Sequence, residues 1–136
     1  MKEVFADTAY WIACVDEEDQ WAGKARGAEQ SLGGARLITT DEVLTEVLAA
    51  FSGRGVRLRQ VAAGFVRAIL KSPHVEAVSQ TRRSFLSGLD LYEKRLDKGY
   101  SLADCISMNL MRSRRISTAL TSDRHFEQEG FEILLK

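Results

Sequence analysis

Four acidic residues stand where their side chains could do chemistry: Asp7, Glu46, Asp104 and Asp123. Asp7 closes the short apolar run "EVFA", and Asp123 follows the run that ends near Leu120 and Thr121. Glu46 lies in "DEVLTEVLAAF", on the shoulder of a helical apolar face centred near Val47, whereas Glu42 points further from that face. Asp104 sits in "LADCISMNLM", where seven of ten residues are apolar and surround the helix. A helix of that kind is largely buried, so its one carboxylate needs a partner. If the four acids converge, two carboxylates ~4 Å apart repel by about 4 kcal/mol at an effective dielectric near 20. Protons or a hard cation must then neutralise them. Two histidines and no cysteine cluster weigh against zinc, and an all-oxygen set suits Mg²⁺ or Mn²⁺. Such a site serves phosphoryl chemistry, because the metal makes hydroxide available, orients a phosphodiester and neutralises the leaving oxygen.

Each acid taken alone has a plainer reading. Asp7 could cap the following helix, and Ser101 with Asp104 forms a capping-box pattern. Glu46 could be a surface helix residue and Asp123 a turn residue. The joint placement on a common frame is what gives the four their weight.

That frame follows from the periodicity. The expected strands are "EVFA", the stretch near Leu37–Thr39, "HVEAVS", "STALT" and "FEILL". Between them "TAYWIACV", "DEEDQWAGKARGAEQSL", "DEVLTEVLAAFSG" and "RLRQVAAGFVRAILKS" read as helical, with Thr40 as an N-cap and Pro73 as a stop. "QTRRSFLSGLDLYEKRLDKG" reads as a long helix with Phe85, Leu89, Tyr92 and Leu96 on one face. "SLADCISMNLMRSRR" is a further helix and "DRHFEQE" a short helical turn. Alternating strands and helices predict an α/β fold with a mostly parallel sheet, in which ligands collect outside the carboxyl ends of the strands.

The totals fit one domain over residues 1–136: 45% hydrophobic and 28% charged residues, no repeats and a single proline. Acids at Glu3 and Asp7 argue against an export signal, and no run is long enough to span a membrane, so a cytoplasmic protein is expected. Cys14 and Cys105 are expected as buried free thiols of a reducing compartment. A net charge of zero argues against a protein that coats nucleic acid nonspecifically, but leaves room for a nuclease with an acidic pocket and a basic rim.

The segments "FADTAYWIA", "LITTDEVLTEVLAAF" and "YSLADCISMNLMRSRRISTALTSDRHFEQEGFEILL" resemble PIN-domain ribonucleases, and most closely the VapC toxins of VapBC toxin–antitoxin pairs. Roughly half the chain carries the resemblance, and its last segment is the most specific. The resemblance implies a three-layer α/β/α sandwich in which Asp7, Glu46, Asp104 and Asp123 hold Mg²⁺ or Mn²⁺ for RNA cleavage. It also implies hydroxyls that orient the site at Thr8, Thr121 and Thr40, a homodimer, and a VapB-like antitoxin that enters the acidic groove. Some relatives act in RNA processing outside toxin pairs, which leaves the nuclease reading broader than the toxin reading.

Arg112, Arg114, Arg115 and Arg124 are the candidate RNA contacts, since arginine suits phosphate through paired hydrogen bonds. Helix ends also favour cations for the macrodipole alone. His125 reads as a surface or packing residue before a catalytic base. Two further classes compete with the nuclease. A phosphoacceptor receiver domain would need a carboxylate pair at the first strand end and a lysine near the last strands, where "ALTSD" carries an acid. A noncatalytic α/β binding module would keep the frame and bind no metal.

Overall fold

The computed structural model describes residues 2–136. Five parallel strands form one sheet in the order β3-β2-β1-β4-β5. They are β1 (Glu3–Ala6), β2 (Arg36–Thr40), β3 (Val75–Val78), β4 (Thr118–Leu120) and β5 (Glu132–Ile133). β1 takes the central place, with Phe5 opposite Ile38 on one side and Ala119 on the other. Val4, Phe5 and Ala6 are completely buried, as an apolar run must be when helices cover both faces of a parallel sheet.

Seven helices supply those covers: α1 (Thr8–Val15), α2 (Ala22–Leu32), α3 (Asp41–Phe51), α4 (Val56–Lys71), α5 (Arg82–Lys94), α6 (Leu102–Arg114) and α7 (Arg124–Gln128). α1 packs on α2, α3 and α4, with the Trp11 and Phe65 rings edge to face at 6.0 Å. Trp11 also donates its indole N–H to Thr39 Oγ1, and Thr39 donates to the Ala6 carbonyl, so α1 is pinned across two neighbouring strands. α6 packs on α5 and α7. The result is the expected α/β/α sandwich. All strands run the same way, so the residues that leave their carboxyl ends share one edge, and Asp7 and Asp123 lie on it.

Two local expectations fail for physical reasons. Residues 16–21 are turns rather than helix. Asp16 accepts the Glu18 N–H and Asp19 accepts the Trp21 N–H, and such side-chain bonds compete with helical ones. Leu89 and Tyr92 of α5, and Leu96 just past its end, are exposed at 38, 44 and 79%. The buried residues of α5 are Gly88 and Leu91. A Cβ at Gly88 would lie 2.5 Å from Ile106 Cγ1, so the missing side chain is what lets α6 approach. No described helix is long and apolar enough to cross a membrane.

Candidate metal centre

Asp7 occupies the N-cap position of α1 but does not cap it with its side chain. Its carboxylate turns instead to Thr121, whose hydroxyl donates to Asp7 Oδ2 at 2.8 Å. The same Thr121 oxygen accepts the backbone N–H of Asp123 at 3.0 Å. One buried hydroxyl therefore ties together the residues that follow β1 and β4. Asp7 is 7% exposed, and its carboxyl rises from 3.8 to about 7. Burial is the main cause, and the charges of Asp104 and Glu46 add to it.

Glu46 reaches the same corner from α3. It accepts the Thr8 hydroxyl at 2.7 Å, which couples the first turn of α1 to the second turn of α3. Asp104 comes from the first turn of α6. There it both completes a capping box with Ser101 and faces the site: its Oδ2 accepts the Ser101 N–H at 3.1 Å and lies 3.4 Å from His125 Nδ1. Its carboxyl is raised, first by burial and then by the charge of Asp123, while Ser101 and His125 pull it down. Asp123 caps α7 by accepting the His125 N–H at 2.9 Å, and its Oδ1 lies 3.2 Å from His125 Nδ1. Ligand atoms of Asp104, Asp123 and His125 all fall within 4.8 Å of one another. The same two side chains thus cap their helices and stand close together beside His125.

His125, read from the sequence as a surface or packing residue, is half-buried and lies within reach of both Asp104 and Asp123. Its spacing, two residues after an N-cap aspartate, was visible in the sequence. Thr40 is the N-cap expected from the sequence. Its hydroxyl accepts the Val43 N–H as the N-cap of α3, and no carboxylate of the site bonds to it.

The four arginines also separate. Arg114 lies at the far end of α6 from Asp104, against Glu76 and Glu3 at the amino edge of the sheet. Arg115 follows it as the left-handed C-cap, with φ 58°. Arg112 is bound to Glu129. These three do not form a patch beside the acids. Arg124 does adjoin Asp123, and its side chain is 79% exposed with a single contact to Glu127. Glu42 corrects the helical-wheel reading of α3: it is the more enclosed of the two glutamates, and its Oε2 is buried without a hydrogen-bond partner.

Asp104, Asp123 and His125 form one group of ligand atoms, while Asp7 and Glu46 fall outside it, with Asp7 feeling the charges of Asp104 and Glu46. Two carboxylates and an imidazole are donors suited to a hard or borderline divalent cation.

No protein-family model and no curated protein sequence matches the chain. Among solved structures it is similar to VapC20 of Mycobacterium tuberculosis, described as a sarcin–ricin loop cleaving toxin. The TM-score is 0.84 and the identity 24%, over 94% of this chain and 95% of that one. At that identity the likeness establishes the shared PIN-like α/β/α fold.

Proposed function

We propose that this chain is a divalent-metal-dependent endoribonuclease of the PIN type and the toxin of a toxin–antitoxin pair. The observation that carries the reading is Asp7: a buried carboxylate at the carboxyl edge of a parallel sheet, with Thr121 as its side-chain partner and further acids as its charged neighbours. Buried charges of one sign are costly, and a cation relieves them. The likeness to a toxin that cleaves RNA agrees with this chemistry.

Asp7, Glu46, Asp104 and Asp123 would hold Mg²⁺ or Mn²⁺, with His125 beside the last two. When bound, such an ion supplies a Lewis acid and lowers the pKa of a coordinated water. The remaining work belongs to the chain. Thr121 orients Asp7, Thr8 orients Glu46 and the Ser101 cap orients Asp104, so each carboxylate is held before substrate arrives. His125 can hold a proton at Nδ1 between Asp104 and Asp123. Arg124, exposed and, among the described residues, paired only with Glu127, is placed to meet a phosphate next to the acids.

The further parts of the reading are a single nuclease domain acting in the cytoplasm, an antitoxin segment that covers the acidic edge, and a homodimer. Leu86, Leu89 and Tyr92 leave an apolar face on α5, continued by Leu96 just past its end, that a second copy would cover. Sedimentation of the purified chain tests the dimer.

Incubation of RNA with purified protein tests the activity. Cleavage is expected with Mg²⁺ or Mn²⁺ and not with chelator. Asp7→Asn and Asp104→Asn should each reduce the rate on the order of 10²–10³-fold, as loss of a group that stabilises developing charge does. Undiminished cleavage in both variants would overturn the assignment. Retention of folded structure but no binding of Mn²⁺ by calorimetry would favour the noncatalytic module.

A further inference from the structure

Asp104, Asp123 and His125 each place one ligand atom within 4.8 Å of the others. The imidazole is the odd member of that group. Its Nδ1 lies 3.4 Å from Asp104 Oδ2 and 3.2 Å from Asp123 Oδ1. Neighbouring ligands of an octahedral ion, with bonds of about 2.1 Å, stand about 3 Å apart. Both spacings are close to that value, so a small closure of the ring onto the acids seats one ion against all three side chains.

The ring is held in that place by its surroundings. The His125 backbone N–H donates to Asp123 Oδ1 at 2.9 Å. Tyr100, 4% exposed, sets its ring against the imidazole with centroids 5.3 Å apart. The Tyr100 hydroxyl donates to Glu129 Oε1 at 3.0 Å, and Glu129 is fixed in turn by Arg95 and Arg112. The next residue, Phe126, is completely buried and stacks on Phe5 of β1. A histidine that merely covers surface needs no such support, whereas a metal ligand depends on neighbours that set its ring angle. Nε2 faces Gly99, where a Cβ would come no closer than 3.9 Å. The far side of the ring therefore has room for the N–H that a metal-bound imidazole keeps there.

We infer that His125, through Nδ1, is a ligand of the ion on which the metal-dependent reading above rests, and that it makes the site prefer a first-row transition ion to Mg²⁺. Mg²⁺ is held by oxygens and parts with its waters reluctantly. An imidazole nitrogen adds little to such an ion, and adds more along the series from Mn²⁺ to Co²⁺. With no ion bound, a proton at Nδ1 can bridge the two acids, and the ion takes the place of that proton. The competing role for His125 is a built-in cation that neutralises Asp104 and Asp123 and holds metal off.

Pulsed electron paramagnetic resonance of the full chain loaded with Mn²⁺ reads the bond directly, without RNA or cleavage. The wild type should show nitrogen hyperfine modulation from one imidazole, and His125→Ala should lack it. The other histidine, His74, precedes β3 at the amino edge of the sheet, away from the acids. In calorimetry His125→Ala should lower the affinity for Mn²⁺ and Co²⁺ by at least about tenfold, the lower range of what even outer partners of a metal ligand are worth, and leave Mg²⁺ nearly unchanged. Bound Mn²⁺ without nitrogen modulation in the wild type overturns the inference, whether or not the variant folds. So does a gain in affinity in His125→Ala, which would make the imidazole a counter-charge, or an equal loss for Mg²⁺ and Mn²⁺, which would make it a packing residue. If the wild type binds none of the three ions, the metal-dependent reading fails and the ligand assignment fails with it. If it binds them without the nitrogen signal, the ligand assignment alone fails.

Discussion

Asp7 and Glu129 are two enclosed carboxylates with opposite environments. Glu129 has a side chain 4% exposed and ends α7. It accepts Arg95 Nε at 2.9 Å and the Tyr100 hydroxyl at 3.0 Å, and Arg112 closes the set. Burial alone would raise it, but these donors outweigh burial and bring its carboxyl from 4.5 down to about 2. Asp7 lies deeper, has one hydroxyl and a backbone N–H as its donors and acids as its charged neighbours, and rises to about 7, first through burial. Depth and company both separate the two: acids surround Asp7 where arginines surround Glu129. Where a carboxylate holds structure, the fold supplies arginines; at the carboxyl edge of the sheet it withholds them. The amino edge repeats the first pattern, with Glu76 lowered by Arg114 and Arg36. The acids at the carboxyl edge thus lack the arginine partners that Glu129 and Glu76 have.

The largest test of that contrast is the pH dependence of metal-free stability. The folded pKa of Asp7, about 7, lies above its ordinary 3.8, so the folded state binds the extra proton between those values. Stability should therefore fall as pH rises from about 4 to about 7, by up to roughly 4 kcal/mol. Asp7→Asn should flatten that slope in urea unfolding with chelator present, and Mn²⁺ should oppose it in the wild type. A slope unchanged by Asp7→Asn would remove the contrast.

Glu129 should act with the opposite sign. Its folded pKa is depressed, so its contribution is present above 4.5 and is lost as pH falls toward about 2, on the order of 3 kcal/mol in all. Glu129→Gln should lose about 2–3 kcal/mol at neutral pH, since Arg95 and Arg112 are left without their counter-charge. The surviving folded protein should keep its metal affinity, which calorimetry would record.

The smallest effects separate the arginines. Arg124→Ala should weaken RNA binding and reduce the slope of log affinity against log salt by about one, as removal of a single phosphate contact does. Arg114→Ala should leave binding unchanged and cost at most about 1 kcal/mol of stability, because its pairs with Glu76 and Glu3 are partly exposed. Equal effects of the two on RNA binding would erase the distinction between the edges.

The parts of this pattern that were legible are local. "EVFA" before Asp7 and "STAL" before Thr121 announced buried strands whose next polar residues must emerge at a common edge. The Ser101–Asp104 cap was equally visible, because three residues suffice to make it. What the sequence did not show is of two kinds: side-chain bonds two residues apart that replace the expected helix at 16–21, and partners far away in the chain. Arg114 meets Glu76 across 38 positions, which no periodicity reveals. The apolar stripe on α5 marked the larger side chains, whereas α6 packs on Gly88, which has none to count. Glu42 and Glu46 are one turn apart, and only the placement of α5 and α6 decides which of them is enclosed.

Sequence by itself determined the alternation of strand and helix, the parallel sense of the sheet and the acids at its carboxyl edge. These follow from hydrophobic period and chain direction, which are properties of neighbouring residues. Tertiary structure alone decided that Thr121 bridges Asp7 and Asp123, that His125 lies between two acids, and that Arg112 and Arg114 pair with Glu129 and Glu76. Hydrogen bonds and ion pairs act over a few ångströms, and the chain brings such groups within reach only once the core has packed.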